Sequence, residues 1–377
     1  MLKRLIAKLL GFALLALRVF PVKKRAVVFR SANGEKYICN PKYITEYILQ
    51  NCPEEFRIIW LFNSPEKYEG LKERGITVCR SNSLKAIYYL STAKYIVDNI
   101  APVSYIPYRK SQRVINTWHG GGAYKKGFVD EKDVTKNRLT KQMGSTDYYI
   151  SSCRVRSELI MNKWGFEEKQ ILPFGMARND MFFRPTDEVT SKVKDALKIP
   201  QEKGIALYLP TFRHYVNGPD LYAVDCEKVT GALEKRYGKP FVLLHKLHFL
   251  IEGRKTILEG EDAVNVNGYE DVQELIAAAD VVITDYSSVM WDAAVAKKPC
   301  FIFALDLDMY IEKVGFDTPI EEWPFPISQS NDELCKTIET LDMETYQKAV
   351  QQHLEALGSY ENGTAAKQIA ELMLSGK

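Results

Sequence analysis

The sequence predicts an α/β protein of two domains. Three observations point there. The length of 377 residues is enough for two cores. From residue 26 onward, short β-branched runs alternate with amphipathic stretches, the pattern of α/β layering. A charged, apolar-poor segment at 184–200, "RPTDEVTSKVKDALKIP", divides that alternation in two and reads as a linker. The composition, 46% hydrophobic and 26% charged, is that of an ordinary globular chain.

The start, "MLKRLIAKLLGFALLALRVFPVKKR", holds an apolar run from Leu9 to Leu17, which is too short to cross a hydrocarbon layer that needs about 20 residues. A secretory signal fits poorly, since no A-x-A site follows and Arg18 interrupts the run. Leu2, Leu5, Ile6, Leu9, Ala13, Ala16, Leu17 and Phe20 recur at helical spacing, with Arg4, Lys8 and Arg18 on the opposite face. This predicts an amphipathic helix over 1–24 lying in an anionic membrane surface, with Lys23, Lys24 and Arg25 adding attraction to lipid headgroups. The alternative is a helix packed on the protein's own core. The basicity is local: the first 25 residues carry seven Lys/Arg and no acid, leaving 44 basic against 48 acidic residues elsewhere, which excludes a general nucleic-acid binder. Seven cysteines stand singly, without CxxC or metal-ligand spacing, and are expected to be reduced and buried in a cytosolic chain.

In the first domain, 25–185, strands are expected at "AVVFRS", "FRIIWLF", "YIVDN", "RVINTW", "DYYIS" and "ILPFG", with helices at "PKYITEYILQN" and "SLKAIYYLST". The second, 186–377, repeats the alternation with "IALYLPTF", "FVLLHKLH", "AVNVN", "DVVITDY" and "CFIFAL". Two such domains facing each other predict a cleft at the carboxyl ends of their strands.

Residues 116–127, "NTWHGGGAYKKG", set a histidine beside a bare backbone at a strand end. A hydrolase oxyanion loop would also need a G-x-S-x-G elbow, which the chain lacks. A G-x-x-x-x-G-K-[ST] phosphate loop nearly fits from Gly122 to Gly127, yet Phe128 follows. A glycine turn with His119 merely packed is the structural alternative. The second domain weighs against it. Ser287 and Ser288 stand where a strand turns into a helix; they can cap free N–H groups or seat an anion. Arg213 follows a strand in "PTFR", and Lys246 and His248 end another in "KLH".

These motifs, in this order, resemble the CDP-glycerol glycerophosphotransferase family of teichoic-acid primases and polymerases. The match runs from about Ser31 to Ile369 and rests on "TWHG" with Lys125 and Lys126, "GMARND", "PTFR", "KLH", "TDYSSVMWD" and "NGTAAKQI". The resemblance implies a GT-B-like fold, a membrane-associating segment and peripheral attachment at the cytoplasmic face of the membrane. It implies transfer of a polyol phosphate, most simply glycerol phosphate, from CDP-glycerol or another CDP-polyol to a hydroxyl of a lipid-linked saccharide acceptor, releasing CMP. The family's catalytic histidines map onto His119 and His248. Donor contacts map onto Gly120, Gly121, Gly122, Ala123, Arg178, Thr211, Phe212, Arg213, Lys246, Leu247, Ser287, Ser288 and Asp292. The family commonly continues "WHG" with Thr-Pro-Leu, so this loop lacks a hydroxyl and a rigid proline.

The chemistry agrees with those residue types. A hydroxyl attacking the donor's β-phosphorus needs a base near neutral pKa, the role given to His119, with glycines admitting the phosphate to the backbone. Arg213, Lys246, His248 and the serine-capped helix end would meet the phosphoryl charge. Asp292 is either a hydroxyl acceptor or a solvated helix acid. Asp306-x-Asp308 has the spacing of a divalent-ion pair; with the cations already answering the charge, no metal and no cofactor are assigned. A ribitol donor and a nucleotide-sugar glycosyltransferase are the alternative activities, and a non-catalytic membrane scaffold the alternative class.

Overall fold

The computed structural model describes residues 14–126, 141–211, 213, 222–247 and 260–376. The chain forms two compact units. Within the described residues the first comprises 14–119, 141–180 and 360–376, and the second comprises 120–126 and 181–359.

In the first unit β1 (Lys23–Arg30), β2 (Arg57–Phe62), β3 (Thr77–Arg80), β4 (Ala93–Asp98), β5 (Arg113–Asn116), β6 (Tyr148–Ile150) and β7 (Ile171–Leu172) form one parallel sheet, in the order β3-β2-β1-β4-β5-β6-β7. Both faces of a parallel sheet are covered, so its strands are apolar on both sides. Val27, Phe29, Ile58, Trp60 and Phe62 pack on one face, under the helices Cys39–Asn51 and Ala365–Leu374. Ala26, Val28, Ile59 and Leu61 pack on the other, with Ala86 and Leu90 of the helix Leu84–Thr92.

The second unit has β8 (Gly204–Leu209), β9 (Phe241–His245), β10 (Ala263–Asn265), β11 (Val281–Thr284), β12 (Cys300–Phe303) and β13 (Ile327–Ser328), all parallel, in the order β10-β9-β8-β11-β12-β13. Counted from its own first strand, the second sheet runs 3-2-1-4-5-6, the Rossmann order, and the first runs the same way with a seventh strand added beside the sixth. The expected class, α/β with two Rossmann-like domains, is therefore the observed one. Strand order reverses between β1 and β4 and between β8 and β11.

Three expectations change. The segment 184–200 is not a linker, since the helix Asp187–Leu197 belongs to the second unit. Asp187 and Glu188 in its first turn and Lys194 in its last complement the helix dipole. Val193 is buried, and the Lys194 ammonium donates to the carbonyls of Gln201 and Lys203 at 2.6 and 2.8 Å. Second, the chain leaves the first unit after Asp180 and returns at Tyr360, so residues 360–376 do not belong with the rest of 186–377. The Asp180 carboxylate accepts the N–H groups of Ala365 and Ala366 at 3.0 and 2.8 Å, capping the returning helix.

Third, residues 1–13 of the expected surface helix lie outside the described residues, and β1 already begins at Lys23. Leu17, expected on the membrane face, packs with buried Leu14 against the first unit's core, while Leu15, Val19 and Phe20 are exposed. Arg109 donates to the carbonyls of Leu17 and Phe20, both at 2.7 Å, and ties this stretch down. Among the described residues no helix is long and apolar enough to cross a membrane. All seven cysteines are free thiols, five of them buried.

Asp180→Ala should strip the Ala365–Leu374 helix of both N-terminal acceptors. Because hydrogen bonds to charged groups contribute about 1.5–3 kcal/mol, urea denaturation should show a loss on that order. Hydrogen exchange should show lower protection in residues 365–374 than in the second unit's strands.

Candidate functional site

Open α/β sheets bind ligands outside the carboxyl ends of their strands, where strand order reverses. In the first unit, β4 ends at Asp98, followed by Asn99, and β5 ends at Asn116, followed by Thr117, Trp118 and His119. The His119 Nδ1 lies 2.9 Å from the Asn99 carbonyl oxygen. A carbonyl only accepts, so Nδ1 carries a proton, and in the neutral ring the lone pair resides on Nε2. His119 is exposed. Desolvation by surrounding protein, then the charges of Arg178 and Arg156, push its pKa below 6.5, while the bond to Asn99 opposes them. The imidazole is therefore neutral at pH 7.

The loop carrying His119 is held by side chains from distant sequence. Trp118 has a φ of 51°, a conformation costing a non-glycine residue about 1–3 kcal/mol. Its N–H donates to the Asn116 side-chain oxygen at 2.8 Å. Buried Asn40 donates through Nδ2 to the carbonyls of Thr117 and Trp118 at 2.9 and 3.0 Å, and its Oδ1 accepts the Arg178 N–H at 3.0 Å. Arg178, expected to touch the donor, is buried and donates through Nη1 to the His119 carbonyl at 2.6 Å. It grips the backbone of the His119 loop rather than extending into solvent.

In the second unit the glycine run has a packing reason. A Cβ on Gly121 would lie 1.9 Å from Cδ1 of Trp291, and Gly122 has a φ of 67° with a Cβ position 2.5 Å from Tyr124. These glycines admit an indole ring to the backbone, where a phosphate was expected. Gly120 and Ala123 are buried. The Ala123 carbonyl accepts the Thr318 N–H and hydroxyl at 3.0 and 2.7 Å, and Tyr124 hydrogen-bonds His353 at 3.1 Å between its hydroxyl and Nε2.

At the reversal between β8 and β11 the Thr211 N–H donates to both Asp285 oxygens, at 2.9 and 2.8 Å. Arg213 is 1% exposed; Nε and Nη2 make a forked bond to Asp306 at 3.1 and 3.0 Å, and Nη1 binds Asp285. Burial opposes its charge, but Asp285 and Asp306 hold its pKa above the ordinary arginine value. The predicted phosphate clamp is therefore a sealed ion cluster, which occupies Asp306 as well. Among the described residues no three His, Cys, Asp or Glu side chains gather as a metal site.

Lys246 is likewise committed, its ammonium donating to the carbonyls of Val266, Asn267 and Tyr269 at 3.2, 3.0 and 2.6 Å. Leu247 is buried, its N–H on the Asn267 side chain at 2.8 Å. Asp292 is neither solvated nor presented to a ligand; it is 2% exposed and accepts from Gln273 at 3.3 Å. Ser287 caps the Val289 N–H at 3.3 Å, and Ser288 makes no side-chain cap; both remain half-exposed. The Thr211 hydroxyl has no partner among the described residues. Phe212 and His248 lie outside the described residues.

Lys125, quoted in the motif but left out of the expected contacts, is exposed, lies 5.8 Å from the Tyr310 ring centroid and interacts with Asp285 and Arg213. His245, at the end of β9, is buried with Nδ1 unpartnered among the described residues, and desolvation lowers its pKa. Asn99 ends the predicted strand "YIVDN", so the strand-end criterion that selected Arg213 could have found it. No local signal marks Asn40.

Arg213→Ala would leave two buried carboxylates facing one another. The expected loss is about 3–5 kcal/mol in chemical denaturation, with a drop in soluble yield, whereas a surface phosphate clamp would lose donor affinity and no stability.

The sequence profile of the CDP-Glycerol:Poly(glycerophosphate) glycerophosphotransferase family matches residues 12–375. The teichoic acid poly(glycerol phosphate) polymerase of Staphylococcus epidermidis is 32% identical over 372 residues, covering 93% of this chain and 51% of that protein. The chain thus spans about half the length of that relative. The enzyme of the same name from Bacillus spizizenii is 25% identical over 390 residues, covering 99% of this chain and 98% of its own. Among solved structures, a histidine-to-alanine variant of the wall teichoic acid polymerase TagF superposes with a TM-score of 0.84 at 28% identity, covering 99% of this chain and 95% of that one. A histidine-to-asparagine variant of TagF soaked with CDPG gives 0.82 at 27%, covering 100% and 98%. With a match along nearly its whole length, this chain belongs to the CDP-glycerol:poly(glycerophosphate) glycerophosphotransferase family.

Proposed function

We propose that the chain transfers glycerol phosphate from CDP-glycerol to a hydroxyl of a lipid-linked saccharide acceptor, releasing CMP, in the synthesis of teichoic acid or a related surface polymer. The observation that carries this reading is the neutral His119 ring with Nε2 free to take a proton, in a member of this family. The acceptor oxygen attacks the β-phosphorus of the donor, its proton passes to Nε2, and the bond from that phosphorus to the oxygen of CMP breaks. Lys125, Ser287, Ser288 and the Thr211 hydroxyl are the groups left to meet the diphosphate, since Arg213 and Lys246 are committed to the protein. His248 keeps its place as the second catalytic histidine on the family resemblance. The soaked TagF complex supports the donor class.

The assay is CMP release from CDP-glycerol, CDP-ribitol and UDP-sugars with a lipid-linked acceptor. Release from CDP-glycerol is expected, and turnover of a UDP-sugar alone would overturn the reading. His119→Gln should lower kcat by about 10²–10⁴-fold, the usual contribution of a general base, with CMP affinity unchanged by calorimetry. The base works unprotonated and its pKa is lowered, so activity should persist through pH 6.5 and fall only as pH drops further. An acid limb above 6.5 would remove His119 from this role.

We also infer peripheral attachment at the cytoplasmic face of the membrane. Support comes from exposed Leu15, Val19 and Phe20 beside Arg18 and Lys24. Leu14 packs into the core, so a deletion should stop at residue 13. That deletion combined with Leu15→Ser, Val19→Ser and Phe20→Ser should leave anionic liposomes in a flotation assay while turning over a short soluble acceptor normally, since these residues raise local concentration rather than build the site. Loss of activity on the soluble acceptor would mean that the segment is part of the fold.

A further inference from the structure

The returning C-terminal segment does more than complete the first unit's core. Glu361 sits at its start, four residues before the helix Ala365–Leu374. One carboxylate oxygen, Oε2, accepts the Met176 N–H at 3.0 Å, and Oε1 accepts from the Asn179 side chain at 3.3 Å. Gly175 has a φ of 81°, and a Cβ there would lie 2.9 Å from the same Oε2. The backbone of residues 175–179 therefore wraps the carboxylate closely. Next to it the Tyr360 N–H donates to the Ser152 carbonyl at 2.9 Å, anchoring the segment independently of Glu361.

The turn that Glu361 holds is the one that holds His119. Met176 accepts through Sδ from Asn40 Nδ2 at 3.3 Å, and the Arg178 N–H donates to Asn40 Oδ1 at 3.0 Å. From there Asn40 reaches the carbonyls of Thr117 and Trp118, and the Arg178 guanidinium reaches the carbonyl of His119. Trp118 stands at positive φ immediately before the histidine. A strained residue persists only where its surroundings over-determine it, and here those surroundings are Asn116, Asn40 and Arg178. Movement of the 175–179 turn would free Arg178 and Asn40 together and let the loop relax, carrying Nδ1 of His119 off the Asn99 carbonyl.

We infer that Glu361 is a positioning residue for His119, acting through the 175–179 turn, Arg178 and Asn40. The inference rests on the proposed role of His119 as base. It concerns placement of the imidazole and not donor binding, because no residue of the chain of contacts belongs to the second unit.

Glu361→Ala should lower kcat by about 10- to 100-fold, the usual effect of displacing a catalytic group by an ångström or so, with donor KM changed less than about twofold. Glu361→Gln keeps an oxygen for the Met176 N–H and should recover most of kcat. A second readout needs no substrate. In histidine-¹⁵N-labelled protein, the His119 signal, assigned by its loss in His119→Gln, should report the Nδ1–H tautomer in the native chain and lose it in Glu361→Ala. The signal of His353, buried in the second unit against Tyr124, should not move. Native kcat with an unmoved His119 signal in Glu361→Ala would overturn the inference, as would loss of the His353 signal alongside it, which would indicate general unfolding. If the native protein releases no CMP from CDP-glycerol, the proposed activity fails, and the His119 signal in Glu361→Ala still decides whether Glu361 positions it.

Discussion

A carbonyl oxygen has no proton to give, and that constraint governs the first unit's chemistry. With Nδ1 of His119 set 2.9 Å from the Asn99 carbonyl, one tautomer of the neutral ring is selected and Nε2 becomes its basic atom. The arrangement follows from the sheet. β4 and β5 are adjacent, with Asp98 opposite Asn116, so the residues just beyond their ends, Asn99 and the 117–119 loop, come side by side. Depression of the histidine pKa by desolvation and by two guanidiniums then keeps the ring unprotonated, as its proposed role of base requires.

The second unit solves a different electrostatic problem at the equivalent place. Asp285 and Asp306 end up buried beside one another at the reversal point, and Arg213 between them is the charge that makes their burial tolerable. The planar fork of an arginine matches a carboxylate with two parallel bonds, and the guanidinium carbon lies over the rings of Tyr286 and Tyr222, 5.0 and 5.4 Å from their centroids. Tyr286 also donates to Asp306 at 3.0 Å. Such a cluster adds little net stability over an apolar core, but removing one member is costly. Its effect is to fix the backbone at Thr211, whose N–H is taken by Asp285 and whose hydroxyl stays unpartnered among the described residues.

Polar side chains rather than regular structure connect the sequence motifs. "GMARND" and "NGTAAKQI" stand far apart in the chain, yet Asp180 caps the helix that begins at Ala365, and Glu361 holds the turn at Met176. Buried carboxylates with backbone N–H partners are satisfied by charge-assisted bonds, and each leaves an unpaired donor or acceptor if broken. Short motifs of this kind carry structure as readily as chemistry.

The sequence by itself determined the α/β class, most strands and the place of His119 at a strand end. All of these follow from local periodicity, because side chains two apart share a face of a strand and a fully covered sheet is apolar on both. β3 and β13, "TVCR" and "IS", escaped because neither holds an apolar run longer than two residues, and the helix Asp187–Leu197 escaped because few of its residues are apolar. Only the tertiary structure decided what each strand-end cation meets. Arg213 reads the same in sequence whether it faces a phosphate or a carboxylate, and Asp285 and Asp306 reach it across 72 and 93 residues. Lys246 turns its ammonium to three carbonyls of a neighbouring loop, and Arg178 turns inward to a backbone oxygen. Periodicity sets which face a residue takes, but a charge's partner is set by which strand ends the non-local sheet pairing brings together.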